Sequence, residues 1–266
     1  MPFNFLNFTT FGDTIYSLCI IKMLGGGNVY VRLNYLNEFC IKVLGWGQGR
    51  HPYTHRLTLD DFNTIQPLLS AQNYLENVKI WQSEAIDFDL ASKNWQWILP
   101  QGWQGNQTQV YALSLGWDIT DPAINHKLLH EPWLTPVDPI IIPGKSIVVN
   151  RTSRYLQVDA HPKWFELIEN HQLCKKAVFV GSLSEHENFE RLFKVQIDFY
   201  PTKDLLELCR VIQGSELFVG NQSSALSLAI GLGKPYLCEQ NEQTATPTPN
   251  GAGGDCWFPR DNGKYF

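Results

Sequence analysis

Two short stretches of this 266-residue chain place reactive residue types where a helix begins. Near the N-terminus, "NFTTFGDTIY" sets Asp13 directly after Gly12, at the change from an alternating pattern to a helical one. Near the C-terminus, "ELFVGNQSSALSL" sets small polar residues between a predicted strand and a predicted helix. The first N–H groups of a helix lack partners and carry partial positive charge, so both stretches could face an anion. Helix capping is the alternative, because Asn and Ser are favoured caps.

Asp13 has the residue type and position of a general base. Gly12 lets the backbone bend sharply, and a carboxylate in the first helical turn is stabilised in its ionised form. If that carboxylate faces a cleft, it can take a proton from a substrate hydroxyl. The alternative is that Asp13 only caps the helix.

Two further patterns raise the question of a metal site. Asp87-Phe88-Asp89 has the D-x-D form of metal-dependent GT-A glycosyltransferases, but its alternation with apolar residues is typical of a half-exposed strand, which we favour. His126 and His130 are four residues apart, yet Lys127 stands where the zinc-protease motif has Glu. We therefore expect no metal ion and no other cofactor.

The composition excludes several classes of protein. The chain is 44% apolar and 18% charged, as globular proteins are. A net charge of −5 without a basic block gives no electrostatic reason to expect a nucleic-acid partner. Six cysteines without a C-x-x-C pair indicate a reducing compartment. Neither a leader sequence nor an apolar run of about 20 residues is present, so we expect a cytoplasmic protein without a transmembrane segment.

The hydrophobic pattern predicts two α/β domains in series. Strand, helix and strand patterns in the first fifty residues indicate a βαβ unit, and a further helix is predicted to begin at Thr58 with Asp61 as its capping partner. A cluster of four prolines in 132–143 then interrupts the pattern. After it, strands and helices alternate again up to "YLCE", with one helix predicted to open at Ser184 with Glu187 as its capping partner.

The predicted fold class is therefore α/β, with two Rossmann-like domains facing an interdomain cleft. We place the first domain at residues 1–135 and the second at 145–266, including a Gly/Pro/Thr-rich loop or tail after "YLCE". Ligands of open parallel sheets bind at the carboxyl ends of the strands, so the two sheets would share a site in that cleft.

The motifs "GDTIYSLCIIKML" and "LLELCRVIQGSELFVGNQSSALSLAIGLGKP" together resemble the two signature regions of glycosyltransferase family 9, the ADP-heptose:lipopolysaccharide heptosyltransferase-like proteins. The resemblance covers residues 5–24 and about 145–240. It implies a GT-B fold and transfer of a sugar, for example a heptose, from a nucleotide-diphosphate sugar to a hydroxyl acceptor. The implied reaction is inverting and metal-independent, and the acceptor is a glycan, a lipid-linked molecule or a protein.

The resemblance also implies roles for individual residues. Asp13 is the implied catalytic base, with Thr10 and Gly12 on the acceptor side. The residues expected to bind the donor follow three strands of the second domain: Arg151, Thr152, Ser153 and Arg154, then Gly181 and Ser182, then Asn221, Gln222, Ser223 and Ser224. Two guanidiniums there would balance a diphosphate charge by fork-shaped hydrogen bonding.

The chain departs from the family pattern at three positions near the second motif. Gln222 stands where the family has Asp, Ser224 where it has Gly, and Ser227 where it usually has His. These departures leave open an alternative function, a non-catalytic nucleotide-sugar-binding protein. An epimerase or hydrolase on the same fold is a further alternative, because a fold does not determine a function.

Overall fold

The computed structural model contains two separate parallel β-sheets, one in each half of the chain. It describes residues 2–7, 9–35, 57–90, 106–153, 155–156, 160–170, 172–241 and 254–257. Within these ranges every strand pair is parallel, which confirms the predicted α/β class. The limits of two domains at 1–135 and 145–266 remain a prediction.

The N-terminal sheet has the strand order β3-β2-β1-β4. Its strands are β1 (Phe3–Asn7), β2 (Gly27–Val31), β3 (Leu75–Ile80) and β4 (Phe88–Asp89). Parallel pairing brings the carboxyl ends of all four strands to one edge of the sheet. The turn that carries Asp13 leaves the sheet at this edge.

The described residues of this half form four helices: α1 (Phe11–Met23), α2 (Leu59–Ser70), α3 (Gln107–Ser114) and α4 (Pro122–His130). The predicted capping box of α2 is confirmed, because Thr58 accepts from the Asp61 N–H while the Asp61 carboxylate accepts from the Thr58 N–H. Sequence patterns did not predict α3, which begins after the cap Asn106.

The C-terminal sheet has the strand order β10-β9-β8-β5-β6-β7. Its strands are β5 (Ile147–Asn150), β6 (Ala177–Val180), β7 (Asp198–Tyr200), β8 (Leu217–Asn221), β9 (Tyr236–Glu239) and β10 (Gly254–Trp257). The chain order reverses between β5 and β8, where open α/β sheets bind ligands. Strand β10 corrects the prediction of a loop or tail after "YLCE", since Gly254–Trp257 pairs with β9.

Where the structure describes this half, its helices are α5 (His161–Asn170), α6 (Leu173–Lys176), α7 (Leu183–Phe193), α8 (Leu205–Gln213) and α9 (Ser224–Gly231). The predicted start of α7 at Ser184 is wrong by two residues. Ser182 is its cap and forms a capping box with Glu185. Among the described residues, no helix is both long enough and apolar enough to cross a membrane.

The two sheets share one hydrophobic core. Helix α1 packs against α9 and helix α2 against α8, so helices from both halves lie between the sheets. Trp133 and Leu134, near the start of the proline-rich segment, are buried in this layer. The indole Nε1 of Trp133 donates to the carbonyl of Ile15 at 3.0 Å, and Lys22 Nζ donates to the carbonyl of Pro132 at 3.0 Å. These contacts set the position of α1 relative to α9.

Candidate functional site

Asp13 lies in the first turn of α1 and is held from two sides. Thr10, at the N-cap position, donates its hydroxyl to Asp13 Oδ2 at 3.0 Å. From α3, the buried Tyr111 hydroxyl donates to the Asp13 carbonyl at 3.0 Å. The Asp13 side chain is half-buried at the carboxyl edge of the N-terminal sheet. A carboxylate with this exposure and a fixed backbone can serve as a proton acceptor.

A buried polar network fixes the turn before Asp13, and sequence reasoning missed it. Asn7 ends β1 and accepts at Oδ1 from the N–H and hydroxyl of Thr9, at 3.1 and 2.7 Å. Its Nδ2 donates to Ser17 Oγ at 2.9 Å. A side chain that satisfies several buried groups at once orders the backbone around it. The sequence feature that could have indicated this network is the polar residue Asn7 at the end of the first strand.

Ser223 caps α9 and ties its first turn to the C-terminal sheet. Its Oγ accepts from the Leu226 N–H at 3.4 Å and donates to Asn150 Oδ1 at 2.8 Å. Asn150, the last residue of β5, donates in turn from Nδ2 to the Val180 carbonyl at 2.8 Å. Ser224 follows Ser223 and is half-buried. The cap interpretation of Ser223 is therefore correct, and a cap leaves the other N–H groups of the first turn available to an anion.

Asn221 connects the same region to the loop after β5. Its Oδ1 accepts from the Thr152 N–H and its Nδ2 donates to the Thr152 carbonyl, both at 3.0 Å. Asn221 is fully buried, so these hydrogen bonds fix the loop to the protein interior. Ser153, the next residue of the loop, is exposed, and Arg154 lies outside the described residues. The roles of these residues toward a donor remain predictions.

Arg151 is in a different environment from the one expected. It is 4% exposed, and its Nε and Nη2 donate to the Glu239 carboxylate at 2.7 and 3.0 Å. The indole Nε1 of Trp164 donates to the same carboxylate at 2.7 Å. The guanidinium carbon lies 5.5 Å from the ring centre of Phe193 and 5.9 Å from that of Trp164. This pairing favours a structural role for Arg151, and phosphate binding by it remains a prediction.

Gly181 and Ser182 follow β6 at the same edge of the sheet. Gly181 has a φ of +132°, and a Cβ there would lie 2.9 Å from both Asn150 Nδ2 and Glu185 Oε2. A φ in this range is strained for any residue with a side chain, so the backbone favours glycine here. Ser182 is exposed and serves as the cap of α7. Contact of Gly181 and Ser182 with the donor remains a prediction.

The first turns of α1 and α9 touch each other. A Cβ built on Gly12 would lie 3.9 Å from both Ser224 Cα and Ser227 Oγ. Ser227 is buried and donates its hydroxyl to the Ser224 carbonyl at 2.7 Å. One helix from each sheet thus brings its positive N-terminal end to the same place. Asp13, next to Gly12, supplies a carboxylate beside the N-terminal end of α9.

The other sequence patterns are not part of this site. Asp87 accepts from the Asn4 N–H at 2.8 Å along the edge of β1, which agrees with the strand interpretation of the D-x-D pattern. His126 and His130 are on α4, and His126 Nδ1 lies 3.7 Å from Glu131 Oε1 at the surface. Within the described ranges, no group of three or more His, Cys, Asp or Glu could hold a metal ion.

Comparison with known proteins finds likeness in structure alone. No protein-family model and no curated protein sequence matches the chain. The chain is similar to the crystal structure of a family 9 glycosyltransferase from Veillonella parvula DSM 2008, with a TM-score of 0.57, 9% identity, and coverage of 96% of this chain and 85% of that one.

Two Escherichia coli structures are similar as well. Heptosyltransferase WaaC with ADP gives a TM-score of 0.53 at 13% identity, covering 97% of this chain and 92% of that one. ADP-heptose lipopolysaccharide heptosyltransferase II gives 0.51 at 13% identity, covering 97% and 90%. At such identities the likeness establishes the fold. The chain has the GT-B architecture of these proteins, as the two motifs predicted.

Proposed function

We propose that this protein is a glycosyltransferase that moves a sugar from a nucleotide-diphosphate sugar to a hydroxyl group of an acceptor. The observation that carries the proposal is the contact between the first turns of α1 and α9 at Gly12 and Ser224. This contact places the carboxylate-bearing turn of one sheet beside the helix end of the other. A general base and an anion-binding site are the two groups that such a transfer needs.

In the proposed reaction the Asp13 carboxylate takes the proton from the acceptor hydroxyl while the oxygen of that hydroxyl attacks C1 of the donor sugar. The bond from C1 to the phosphate oxygen breaks, and the nucleoside diphosphate leaves with the bonding electrons. Attack from the face opposite the leaving group inverts the configuration at C1. Thr10 orients the carboxylate through its 3.0 Å hydrogen bond.

The leaving diphosphate develops charge that fixed donors can stabilise without a cation. We assign this task to the N–H groups of the first turn of α9, with the hydroxyl of Ser224 beside them. Because Glu239 already pairs with Arg151, the assignment rests on neutral donors. Residues 1–135 would hold the acceptor and residues 145–266 the donor.

The choice of donor to test follows from the similar structures. Two of the similar structures are heptosyltransferases, and WaaC was solved with ADP. ADP is therefore the first nucleotide to test, and an ADP-linked heptose the first donor. Acceptors that present a sugar hydroxyl, on a glycan, a lipid-linked molecule or a protein, are consistent with Asp13 as base.

One observation favours a second function, binding of a nucleotide sugar without transfer. Ser227 replaces the family's usual His, and its hydroxyl is bonded to the Ser224 carbonyl within α9. A site that lacks this imidazole keeps the helix end that binds an anion. Binding without turnover by the unmodified protein would select this alternative.

The test begins with thermal shifts in ADP, UDP, GDP, CDP and their sugar conjugates. A ligand at 100 times its dissociation constant adds about 2.7 kcal/mol of stability. With a donor that binds, transfer is followed by release of the nucleoside diphosphate. Asp13→Asn should keep donor binding and lower the transfer rate about 10²- to 10⁴-fold, because it removes the general base.

Asp60→Asn is the matched control, since Asp60 also lies in the first turn of a helix but is exposed on α2. It should transfer at the parent rate. Full turnover by Asp13→Asn would exclude Asp13 as the base. If no nucleotide or nucleotide sugar shifts the melting temperature, the proposed function is wrong.

A further inference from the structure

The Asn7 side chain binds the chain on both sides of Asp13. Before Asp13, its Oδ1 accepts from the N–H and the hydroxyl of Thr9, at 3.1 and 2.7 Å. After Asp13, its Nδ2 donates to Ser17 Oγ at 2.9 Å, and the Ser17 hydroxyl donates in turn to the Thr14 carbonyl at 2.7 Å. One buried amide therefore connects the turn before α1 with the first two turns of the helix that carries Asp13.

Asn7 is itself held firmly by the N-terminal sheet. It is 1% exposed, it pairs with Val31 of β2, and its carbonyl accepts from the Arg32 N–H at 2.9 Å. The orientation of its amide is determined, because the Thr9 N–H can only donate and so identifies Oδ1. A group supported by a strand is positioned more precisely than one supported by a loop.

The hydrogen bonds of Asn7 reach Asp13 through Thr10. The Thr10 hydroxyl donates to Asp13 Oδ2 at 3.0 Å, and the Thr10 carbonyl accepts from the Thr14 N–H at 2.9 Å. Thr10 thus lies between Thr9 and Thr14, the two residues that the Asn7 amide holds. Release of either one would shift Thr10 and the carboxylate it orients, and a shift of about 1 Å in a reacting group can lower a rate about 10²-fold.

We propose that Asn7 is a positioning residue for the Asp13 carboxylate, acting through Thr9, Thr10 and Ser17. The inference rests on the proposed function and deepens it. An amide fits this position because one end accepts from Thr9 while the other donates to Ser17. An ionised carboxylate would only accept, and an apolar side chain would do neither.

Two substitutions release the network to different extents. Asn7→Ala removes both ends of the amide, whereas Ser17→Ala removes only the connection from Nδ2 to the helix. Gln72→Ala is the matched control, because Gln72 is also 1% exposed and bonded at both ends of its amide. Its Oε1 accepts from the Thr135 N–H at 2.8 Å and its Nε2 donates to the Leu68 carbonyl at 2.9 Å, at the end of α2 and outside the proposed site.

Transfer is measured with the sugar conjugates of ADP, UDP, GDP and CDP and an acceptor that presents a sugar hydroxyl. With the donor that the parent uses, Asn7→Ala should lower kcat about 10²-fold and leave the donor KM unchanged, because Asn7 affects the placement of the base and does not bind the donor. Ser17→Ala should lower kcat to a smaller extent. Gln72→Ala should lower the melting temperature, as Asn7→Ala does, and keep the parent kcat.

A double variant tests whether Asn7 acts through the base. Asp13→Asn lacks the carboxylate that Asn7 positions, so Asn7→Ala combined with Asp13→Asn should turn over at the rate of Asp13→Asn alone. A purely structural role predicts a further loss of rate in the double variant, because damage to the fold does not depend on the residue at position 13.

Three results would overturn the inference: an unchanged kcat in Asn7→Ala, an equal loss of kcat in Gln72→Ala, or a further loss in the double variant. A raised donor KM with the parent kcat would also overturn it, since Asn7 would then act on binding. If Asn7→Ala does not fold, Ser17→Ala decides by the same measurements. Absence of transfer by the parent refutes the proposed function together with this inference, whereas parent-like kinetics in the variants refute only the inference.

Discussion

Removing the charge of Glu239 should destabilise the protein strongly. Its carboxylate accepts from Arg151 and Trp164, and the side chains of Arg151 and Glu239 are 2% and 0% exposed. Glu239→Gln keeps the shape but leaves the guanidinium without a counter-charge in the interior. Breaking a buried pair by removing one partner typically costs about 3–5 kcal/mol.

For a chain of this size, each 1 kcal/mol lowers the melting temperature by about 2–4 °C, so Glu239→Gln should melt roughly 6–20 °C below the parent. Calorimetry at neutral pH measures this directly. Glu166→Gln is the matched control, because Glu166 pairs with Lys163 at 3.1 Å on the surface of α5, where exposed pairs contribute about 0–1 kcal/mol.

A double variant separates the charge from the packing. Arg151→Met with Glu239→Leu removes both charges, and such replacements are often neutral or stabilising. It should therefore melt closer to the parent than Glu239→Gln does. If Glu239→Gln lowers the free energy of unfolding by less than about 1 kcal/mol, the reasoning is refuted, because a buried guanidinium without a counter-charge should destabilise the fold by more than that.

Two other predictions concern packing and burial. Gly231→Ala should lower the free energy of unfolding by about 1–3 kcal/mol, because the new Cβ would lie 2.8 Å from Leu134 Cγ and 2.9 Å from Trp133 Nε1. Urea denaturation measures this, and an unchanged midpoint would contradict it. Burial raises the pKa of the Cys19 thiol from 9.0 to about 12, so brief alkylation at pH 8 should label the half-buried Cys174 well before Cys19. By the same linkage, the free energy of unfolding should fall as pH rises from 9.0 to about 12, since the unfolded thiol loses its proton first. Equal labelling of the two cysteines would show that Cys19 is accessible.

Local patterns predicted the parts of the fold that depend on neighbours in sequence. The capping box of Thr58 and Asp61 is one example, because its hydrogen bonds join residues three apart. The α7 start shows the limit of such patterns. "SLSEHE" contains two overlapping capping frames, Ser182 with Glu185 and Ser184 with Glu187, and the structure uses the first. The residue types alone do not distinguish the two frames.

The environment of Arg151 could not be predicted from its neighbours. Its partner Glu239 is 88 positions away, at the end of a different strand, and the two meet only when β5, β8 and β9 align. In the sequence Arg151 resembled a loop residue and Glu239 the end of an apolar run. Similarly, the environment of Gln222 depends on Asn241 after β9. Contacts of this range are determined by sheet topology.

The shared core affects how the protein moves. Buried residues of both sheets, Phe5 and Val29 on one side and Val148 and Phe218 on the other, belong to one continuous apolar cluster. Swinging the halves apart like a hinge would expose this cluster to water, at about 25 cal/mol for each Å² of apolar surface. This cost opposes a hinge opening between the two halves and favours motion that is confined to the loops at the carboxyl edges of the sheets.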